Sequence, residues 1–178
     1  MKIHIIGCSG SGKTYLAKKL SGKYHVPHFD LDDIQWENST DSYGVKRPLE
    51  EKIEMLQKVC IYKEWIIEGV YYSWVQQSFE EADKIYVLDM PLFLCKIRII
   101  WRFLKRKLRL EKGKQESLKS LYNLLKWTNV FQKKNMEEIK LIMKRYEGKV
   151  VYLKNSKEVK KLLHGISTRT FLLNGLKM

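Results

Sequence analysis

The chain has 178 residues, a length that suits one α/β domain and allows a sizeable hydrophobic core. Its 34 Lys and Arg residues against 20 Asp and Glu residues give a net charge of +14, which favours anionic partners such as nucleotides, nucleic acid or an anionic membrane surface. Cys8, Cys60 and Cys95 are widely spaced, which argues against a disulfide framework and a metal site. No apolar run approaches the roughly 20 residues of a membrane span, so we expect a cytoplasmic protein with no membrane partner.

The first predicted elements are a strand, a glycine-rich loop and a helix. A β-branched apolar run precedes the loop, and Leu16 and Leu20 follow it at helical spacing, with Gly22 placed to end the helix. The loop fits the G-x-x-x-x-G-K-[ST] pattern of phosphate-binding loops. We predict that it binds ATP together with the residue that follows it, through Gly7, Cys8, Ser9, Gly10, Ser11, Gly12, Lys13, Thr14 and Tyr15.

The residue types in this loop explain the prediction. Glycines let the backbone turn its N–H groups towards phosphate oxygens, and the helix after the loop directs its positive end to the same place. In such a loop Lys13 reaches the β- and γ-phosphates, and Thr14 presents its hydroxyl to Mg²⁺. The alternative is an ordinary glycine-rich turn, but a strand on one side and a helix on the other favour a phosphate loop.

Acidic residues follow the next two predicted strands. Asp30, Asp32 and Asp33 come after a short strand at residues 25–29, and Glu68 ends a strand at residues 65–67. Ligands of open α/β sheets lie at such strand ends, so we expect these acids to face the glycine-rich loop. The predicted Mg²⁺ ligands are Thr14, Asp30, Asp32 and Glu68, and Asp32 is also the predicted base for an acceptor hydroxyl. The alternative is that the acids after the first of these strands only cap the next helix, a role that we predict for Asp33.

The segment after these acids has a less specific pattern. Trp36, Tyr43 and Arg47 either contact an acceptor or anchor a loop by packing. Pro48 suits the first residue of a helix. Ser73 and Gln76 fit a capping box that opens a short helix.

A helix predicted over residues 92–110 carries the second informative pattern. At 3.6 residues per turn its basic residues fall within about 100°: Arg98, Arg102, Lys105, Arg106 and Arg109. Its apolar residues occupy the opposite side, which we expect to pack: Phe93, Ile97, Ile100, Trp101, Leu104 and Leu108. Arginines of such a helix in a kinase neutralise the charge of the transferred phosphoryl group. We therefore predict a catalytic set of Lys13, Asp32, Arg98, Arg102 and Arg106; a solvated basic face without a ligand is the alternative.

The last third of the chain completes one predicted domain. A helical region over residues 115–147 with a break near 128–129, a strand at 150–153 and a helix ending near Gly165 are expected. We predict a domain over residues 1–165, a lid at about 92–128 and an extension at 166–178.

Several of these segments together resemble bacterial proteins known as DNA-topology-modulation proteins, which are similar to adenylate and shikimate kinases in the P-loop kinase group. The segments are the glycine-rich loop, residues 32–36, 65–71 and 88–91, and the arginine-bearing helix. The resemblance spans about residues 1–164 and implies an α/β three-layer P-loop NTPase fold: a parallel five-stranded sheet of order 2-3-1-4-5, flanking helices and a helical lid. It also implies Mg·ATP on residues 10–14. Glu68 stands where relatives usually have Asp, and the position near Ser73 lacks their arginine.

Three functions fit these patterns. We favour a kinase, monomeric or homodimeric, that moves the γ-phosphoryl of ATP to a nucleotide, a nucleoside or another small hydroxylated acceptor. A DNA-associated regulatory ATPase is the first alternative, since the charge allows a nucleic-acid partner without favouring one. A nucleotide-binding protein without transfer activity is the second.

Overall fold

A computed structural model describes residues 1–37, 45–110 and 117–174, with side chains described up to residue 165. The strands are β1 (Lys2–Gly7), β2 (His28–Asp30), β3 (Trp65–Gly69), β4 (Lys84–Leu88) and β5 (Val150–Leu153). They form one sheet in the order β2-β3-β1-β4-β5, and every neighbouring pair is parallel. This is a P-loop NTPase-like fold and confirms the predicted strand order. Tyr43 lies outside the described residues.

Eight α-helices are found in the part of the chain that the structure describes. They are α1 (Lys13–Tyr24), α2 (Leu31–Gln35), α3 (Leu49–Cys60), α4 (Gln76–Glu81), α5 (Leu92–Lys107), α6 (Leu118–Val130), α7 (Met136–Met143) and α8 (Ser156–Asn174). A π-helical turn, Phe131–Asn135, joins α6 to α7. The helical region is therefore interrupted a few residues later than the predicted break near 128–129. Helix α8 continues past Gly165, where its end was predicted. None of these helices combines the length and apolar character that crossing a membrane requires.

The register of the sheet brings the candidate site together. The strand interiors are apolar along nearly their whole length, as expected of parallel strands covered by helices. In β3, Glu68 is in register with Ile5 of β1 on one side and with Asp30 of β2 on the other. The carboxyl ends of β1, β2 and β3 therefore lie at one edge, next to the glycine-rich loop.

Helix α1 ends later than the sequence pattern predicted. Gly22 lies inside the helix, which continues to Tyr24 and is closed by His25 in a left-handed conformation (φ 56°). The prediction that Gly22 ends the helix is wrong because the last turn keeps its contacts: the backbone N–H of Val26 donates to the carbonyl of Ser21. Glycine favours a helix end but does not require one.

Helix α4 does not use the predicted capping box. Its N-cap is Val75, which has no side-chain capping hydrogen bond, and Ser73 lies two residues earlier. Gln76 instead donates through Nε2 to the carbonyl oxygens of Tyr72 and Ser73. The glutamine side chain thus binds the preceding turn.

Helix α5 is turned the opposite way from the prediction. Phe93, Trp101 and Leu108 were expected to pack, but they are 75%, 60% and 67% exposed. The buried residues are Cys95, Ile99 and Phe103. These three recur at a spacing of four, so they form a second apolar stripe, and this one lies beside the arginines. The arginine side of α5 therefore faces the protein.

His4 of β1 is a buried polar residue whose packing explains its protonation state. It is fully buried, its Nδ1 lies 3.0 Å from Ser78 Oγ, and its ring packs edge-on against Phe79 at 4.5 Å between centroids. Because Ser78 Oγ donates to the carbonyl of Val75, it accepts from His4 Nδ1. Burial lowers the pKa of His4 to about 3, so the imidazole is neutral in the folded state at neutral pH.

We expect acid to destabilise the fold through His4. An unfolded chain takes up a proton at His4 near pH 6.5, whereas the folded chain does so only near the pKa of about 3. The stabilisation by neutral His4 is therefore complete above pH 6.5 and is lost as the pH falls towards 3. Between pH 7 and pH 5 the loss is about 2 kcal/mol in the free energy of unfolding. The difference in urea unfolding between the wild type and a variant without His4, taken at both pH values, measures this contribution, because Asp30 also titrates in this range with a pKa of about 6.

A matched pair of variants isolates this contribution. His4→Asn should flatten the pH dependence of the unfolding free energy relative to the wild type. His25→Asn should leave it unchanged, because His25 is exposed and asparagine tolerates the left-handed backbone there. An equal pH dependence in the wild type and His4→Asn would contradict the argument.

Candidate active site

The glycine-rich loop joins the end of β1 to the start of α1. Gly10 and Gly12 both have positive φ, 75° and 102°, which side chains rarely allow. At Gly10 a Cβ atom would lie 2.4 Å from the carbonyl oxygen of Cys95 in α5, so no side chain fits there. The loop has this shape because glycine permits both the backbone turn and the close approach of α5.

Lys13 folds back over this loop. Its ammonium donates to the carbonyl oxygen of Cys8, with 3.1 Å between Nζ and O. The side chain also lines the cavity beside the loop. The positive charge is therefore held where an anionic ligand above the loop would meet it.

Thr14 and Glu68 form a polar pair at the start of α1. Thr14 Oγ1 donates to Glu68 Oε1 at 2.5 Å, and Glu68 is only 1% exposed. Burial opposes ionisation of Glu68, but His28 at 3.7 Å, the charge of Lys13 and the Thr14 hydrogen bond together hold its pKa below the usual value. Glu68 is thus a buried carboxylate that stays ionised.

Asp30 caps helix α2. Its Oδ1 accepts from the backbone N–H of Asp32 at 2.9 Å, which makes Asp30 the N-cap residue. The prediction that Asp33 is the cap is wrong, because the strand ends at Asp30 and the helix starts directly after it. Burial, followed by the charge of Glu68, raises the pKa of Asp30 to about 6.

Asp32 is held by a tyrosine that sequence reasoning missed. Tyr71 donates its hydroxyl to Asp32 Oδ1 at 2.7 Å. Burial, followed by the hydrogen bond to Asp32, raises the pKa of Tyr71, so the phenol stays protonated and remains a donor. The ring of Tyr71 packs against Trp74, with 5.4 Å between centroids. The sequence could have indicated this role, because Tyr71 stands two residues after the end of β3 and therefore near the edge of the sheet where ligands bind.

These acids fit a magnesium ion that is shared with a ligand. Threonine and carboxylate oxygens are the donors that Mg²⁺ prefers, and Mg²⁺ is commonly held by one or two carboxylates with waters and substrate phosphates. No group of three or more His, Cys, Asp or Glu residues that could hold a metal is found within the described part of the chain. Thr14 and Glu68 are hydrogen-bonded and Asp30 is in register with Glu68, so these three residues offer neighbouring oxygens that fit a site which phosphate oxygens would complete.

Arg98 is fastened to the glycine-rich loop. Its Nη1 donates to the carbonyl oxygens of Gly10 at 3.1 Å and Ser11 at 2.9 Å, and its Nη2 donates to Ser156 Oγ at 2.9 Å. It thereby ties α5 and the start of α8 to the loop. This geometry makes Arg98 a positioning residue for the loop.

One cavity of about 1350 Å³ unites most of the predicted site. Its lining includes Ser9, Gly10, Gly12, Lys13, Thr14, Tyr15, Asp30, Asp32, Glu68, Arg98, Arg102 and Arg106. Gly7, Cys8 and Ser11 do not line it: Cys8 and Ser11 are buried behind the loop, and Cys8 Sγ lies 3.3 Å from Cys95 Sγ. Lys105 and Arg109 of the predicted basic face are also absent from the lining.

The segment after α2 also contributes to the lining of the cavity. Trp36, Glu37 and Lys46 line it. Arg47 does not, because it donates to the carbonyl oxygens of Asp33, Ile34 and Trp36 and pairs with Glu51 at 2.8 Å. Of the two roles considered for Arg47, the structure supports that of a packing anchor.

Comparison with known proteins gives partial matches. No protein-family profile matches the chain. It is 31% identical over 90 residues to the uncharacterised protein YqaC of Bacillus subtilis, a match that covers 50% of the chain and 49% of YqaC. It is 32% identical over 94 residues to an adenylate kinase of Lachnospira eligens, covering 50% of the chain and 39% of that enzyme. The chain thus spans half or less of these curated relatives. The similarity to adenylate kinase relates it loosely to P-loop kinase-like proteins.

Proposed function

We propose that the chain is an ATP- and Mg²⁺-dependent phosphotransferase that acts in the cytoplasm on a small acceptor. The observation that carries the proposal is that Lys13, the Thr14–Glu68 pair and Asp32 face one cavity. A kinase needs a positively charged loop that binds the phosphates and a carboxylate that accepts the proton of the acceptor hydroxyl.

The residues divide the chemistry between them. Backbone N–H groups of the glycine-rich loop and Lys13 would bind the β- and γ-phosphates of ATP. Bound Mg²⁺, held by Thr14 and Glu68 with Asp30 nearby, would offset the negative charge of these phosphates. The acceptor oxygen bonds to the γ-phosphorus, the bond from that phosphorus to the β–γ bridging oxygen breaks, and Asp32 takes the hydroxyl proton. Tyr71 holds Asp32 in position.

The orientation of α5 supports phosphoryl transfer over DNA binding. A DNA-binding face presents its cations on the outside, where they can follow a phosphate backbone. Arg102 and Arg106 instead line the cavity, and Arg98 is bound to the loop. Arginines in this position would neutralise charge that develops on the transferred group.

The test is a transfer assay with purified protein, Mg·ATP and a panel of nucleosides, nucleotides and small hydroxylated metabolites. We expect ADP formation that depends on one acceptor class and yields its phosphorylated product, detected by ³¹P NMR. ATP binding without any acceptor-dependent product would favour a nucleotide-binding protein that lacks transfer activity.

We expect two arginines of α5 to differ in their effects. Arg102→Ala should lower kcat by about tenfold to a hundredfold while ATP affinity stays within a few-fold, because its charge acts on the transition state. Arg98→Ala should weaken both ATP affinity and turnover, because it removes the contacts that fix Gly10 and Ser11. Steady-state kinetics with calorimetric ATP titration separates the two effects.

A third variant provides the control. Arg109 lies beyond the end of α5 and does not line the cavity, so Arg109→Ala should behave as the wild type. Equal losses in all three variants, accompanied by loss of DNA affinity, would instead support a role in DNA binding.

A further inference from the structure

We propose that the outward face of α5 binds an anionic lipid surface. This face consists of the apolar residues of α5 that the sequence pattern placed in the core, together with the lysines beside them. It lies on the opposite side of the helix from the arginines that line the cavity. A lipid contact at this face is therefore independent of the proposed function.

The outward face carries a continuous apolar stripe. Its residues fall within roughly 100° of the helix circumference. Apart from Ile97, which is half-buried, all of them are exposed: Phe93, Ile97, Ile100, Trp101, Leu104 and Leu108. Proteins that act alone rarely expose so many large apolar side chains side by side, and such a patch marks an interaction site.

The fold keeps this stripe on the outside. The opposite side of α5 is fixed against the glycine-rich loop by the hydrogen bonds of Arg98 and by the close approach of Cys95 to Gly10. Ile99 and Phe103 are buried beside these contacts. The helix cannot turn its outer stripe inwards without breaking them, so the apolar residues stay available to a partner.

Lysines border the stripe on both sides. At 100° per residue, Lys96 and Lys107 lie next to one edge of the stripe and Lys105 lies next to the other. Helix α5 contains no Asp or Glu. Within the described residues, the exposed Lys105 and Lys107 form no ion pair. A partner that matches this face is apolar at its centre and anionic at its borders.

The charge of the whole chain points the same way. Residues 93–178 hold 23 of the 34 Lys and Arg residues but only 6 of the 20 Asp and Glu residues. Residues 1–92, in contrast, have a slight excess of acids. The net charge of +14 therefore lies in the part of the chain that contains α5, and it attracts this part towards an anionic surface.

An anionic bilayer supplies both properties that the outward face requires. Its acyl region would accept Phe93, Trp101 and Leu104, and its headgroup phosphates would meet the lysines. Tryptophan is a preferred side chain at the boundary between these two layers.

Other occupants match the outward face less well. A second copy of α5 would bring the same lysines and no acid, so the borders of the two faces would repel each other. A nucleic-acid backbone would attract the lysines but would leave the apolar stripe exposed to water.

The contact would run along the membrane surface. Helix α5 has 16 residues and is about 24 Å long at a rise of about 1.5 Å per residue. Amphipathic helices of this kind lie in the plane of the interface, with the apolar side buried among the lipids. The sequence-based expectation of no membrane partner came from the absence of a spanning run, and a surface contact does not need one.

Vesicle sedimentation with the whole protein is the first test. One set of vesicles contains phosphatidylcholine alone, and the other contains equal parts of phosphatidylcholine and phosphatidylglycerol. We expect the protein to sediment with the anionic vesicles, to remain in solution with the neutral ones, and to dissociate as the salt concentration rises. Binding to neither kind of vesicle, or equal binding to both, would overturn the proposal.

An apolar double variant tests whether the stripe enters the lipid. Trp101→Ser/Leu108→Ser should lower the partition coefficient on anionic vesicles about tenfold or more, because two exposed apolar side chains are lost. The matched control is Ile61→Ser/Leu141→Ser, which removes two exposed apolar side chains elsewhere and should bind as the wild type does. Circular dichroism and Tm confirm that the variants are folded. Unchanged binding by Trp101→Ser/Leu108→Ser would show that net charge alone attracts the protein, which would overturn the proposal.

A charge variant tests the lysine borders. Lys105→Gln/Lys107→Gln should also lower the partition coefficient about tenfold, whereas Lys18→Gln/Lys63→Gln, which removes two exposed lysines elsewhere, should change it at most a few-fold. Equal losses in the two variants would contradict a contact through α5.

Analytical ultracentrifugation without lipid tests the second copy as occupant. We expect the wild type and Trp101→Ser/Leu108→Ser to have the same oligomeric state. A dimer that this variant dissociates would show that a second copy covers the outward face, and it would overturn the proposal.

Discussion

Replacement of Lys13 by alanine is expected to reduce Mg·ATP turnover about a thousandfold. Lys13 Nζ lies at the loop within the cavity, where it would meet the β- and γ-phosphates. A fixed positive charge next to a transferring phosphoryl group, in a site that excludes water, is among the largest single contributions to such a reaction. The loss should appear in kcat/KM, and ATP affinity measured by calorimetry should fall as well.

Lys18→Ala is the matched control for this prediction. It removes the same charge from the same helix, but Lys18 is exposed and does not line the cavity. Its turnover should equal that of the wild type. Circular dichroism and Tm establish that both variants are folded. Full turnover and ATP affinity in folded Lys13→Ala protein would rule out the proposed role of the glycine-rich loop.

Asp32→Asn is expected to reduce phosphoryl transfer by about a hundredfold or more. The amide keeps the size of the side chain and can still accept from Tyr71, but it is too weak a base to take the proton of the acceptor hydroxyl. Transfer should fall while ATP affinity stays within a few-fold, because Asp32 lies on the acceptor side. Single-turnover kinetics with a saturating acceptor measures the chemical step.

The neighbouring acid separates this role from a general effect of charge. Asp33→Asn removes an equal charge from the next residue of α2, and Asp33 makes no contact with Tyr71 that the structure describes. Its transfer rate should change only a few-fold. Equal losses in the two variants would show that the base has been assigned to the wrong residue.

The local parts of the site were predictable because their geometry depends on residue type. Positive φ at Gly10 and Gly12 follows from a glycine-rich turn between a strand and a helix, and the structure has it. The position of Glu68 beside Thr14 follows from parallel strands that end at one edge. Such features can be predicted from a few neighbouring residues or from the regular geometry of a parallel sheet.

Features that depend on tertiary contacts could not be predicted in the same way. Helix α5 carries two apolar stripes, and nothing within the helix decides which is buried. The contact of Gly10 with Cys95 and the bonds of Arg98 to the loop decide it. The hydrogen bond from Tyr71 to Asp32 joins residues 39 apart in sequence and likewise depends on how β3 and α2 meet.

The attachment of α5 to the loop divides this helix into two parts with different freedom. At Cys95 the helix approaches the loop closely, and at Arg98 two hydrogen bonds tie it to the loop and a third ties it to Ser156 of α8. The later turns of α5 lead towards α6, against which α5 packs. Amide protons in the first two turns of α5 should therefore exchange with solvent only when the whole domain unfolds, and those beyond Arg102 should exchange through smaller openings. We expect any closure over a bound nucleotide to bend α5 near its middle, while its first turns stay with the sheet.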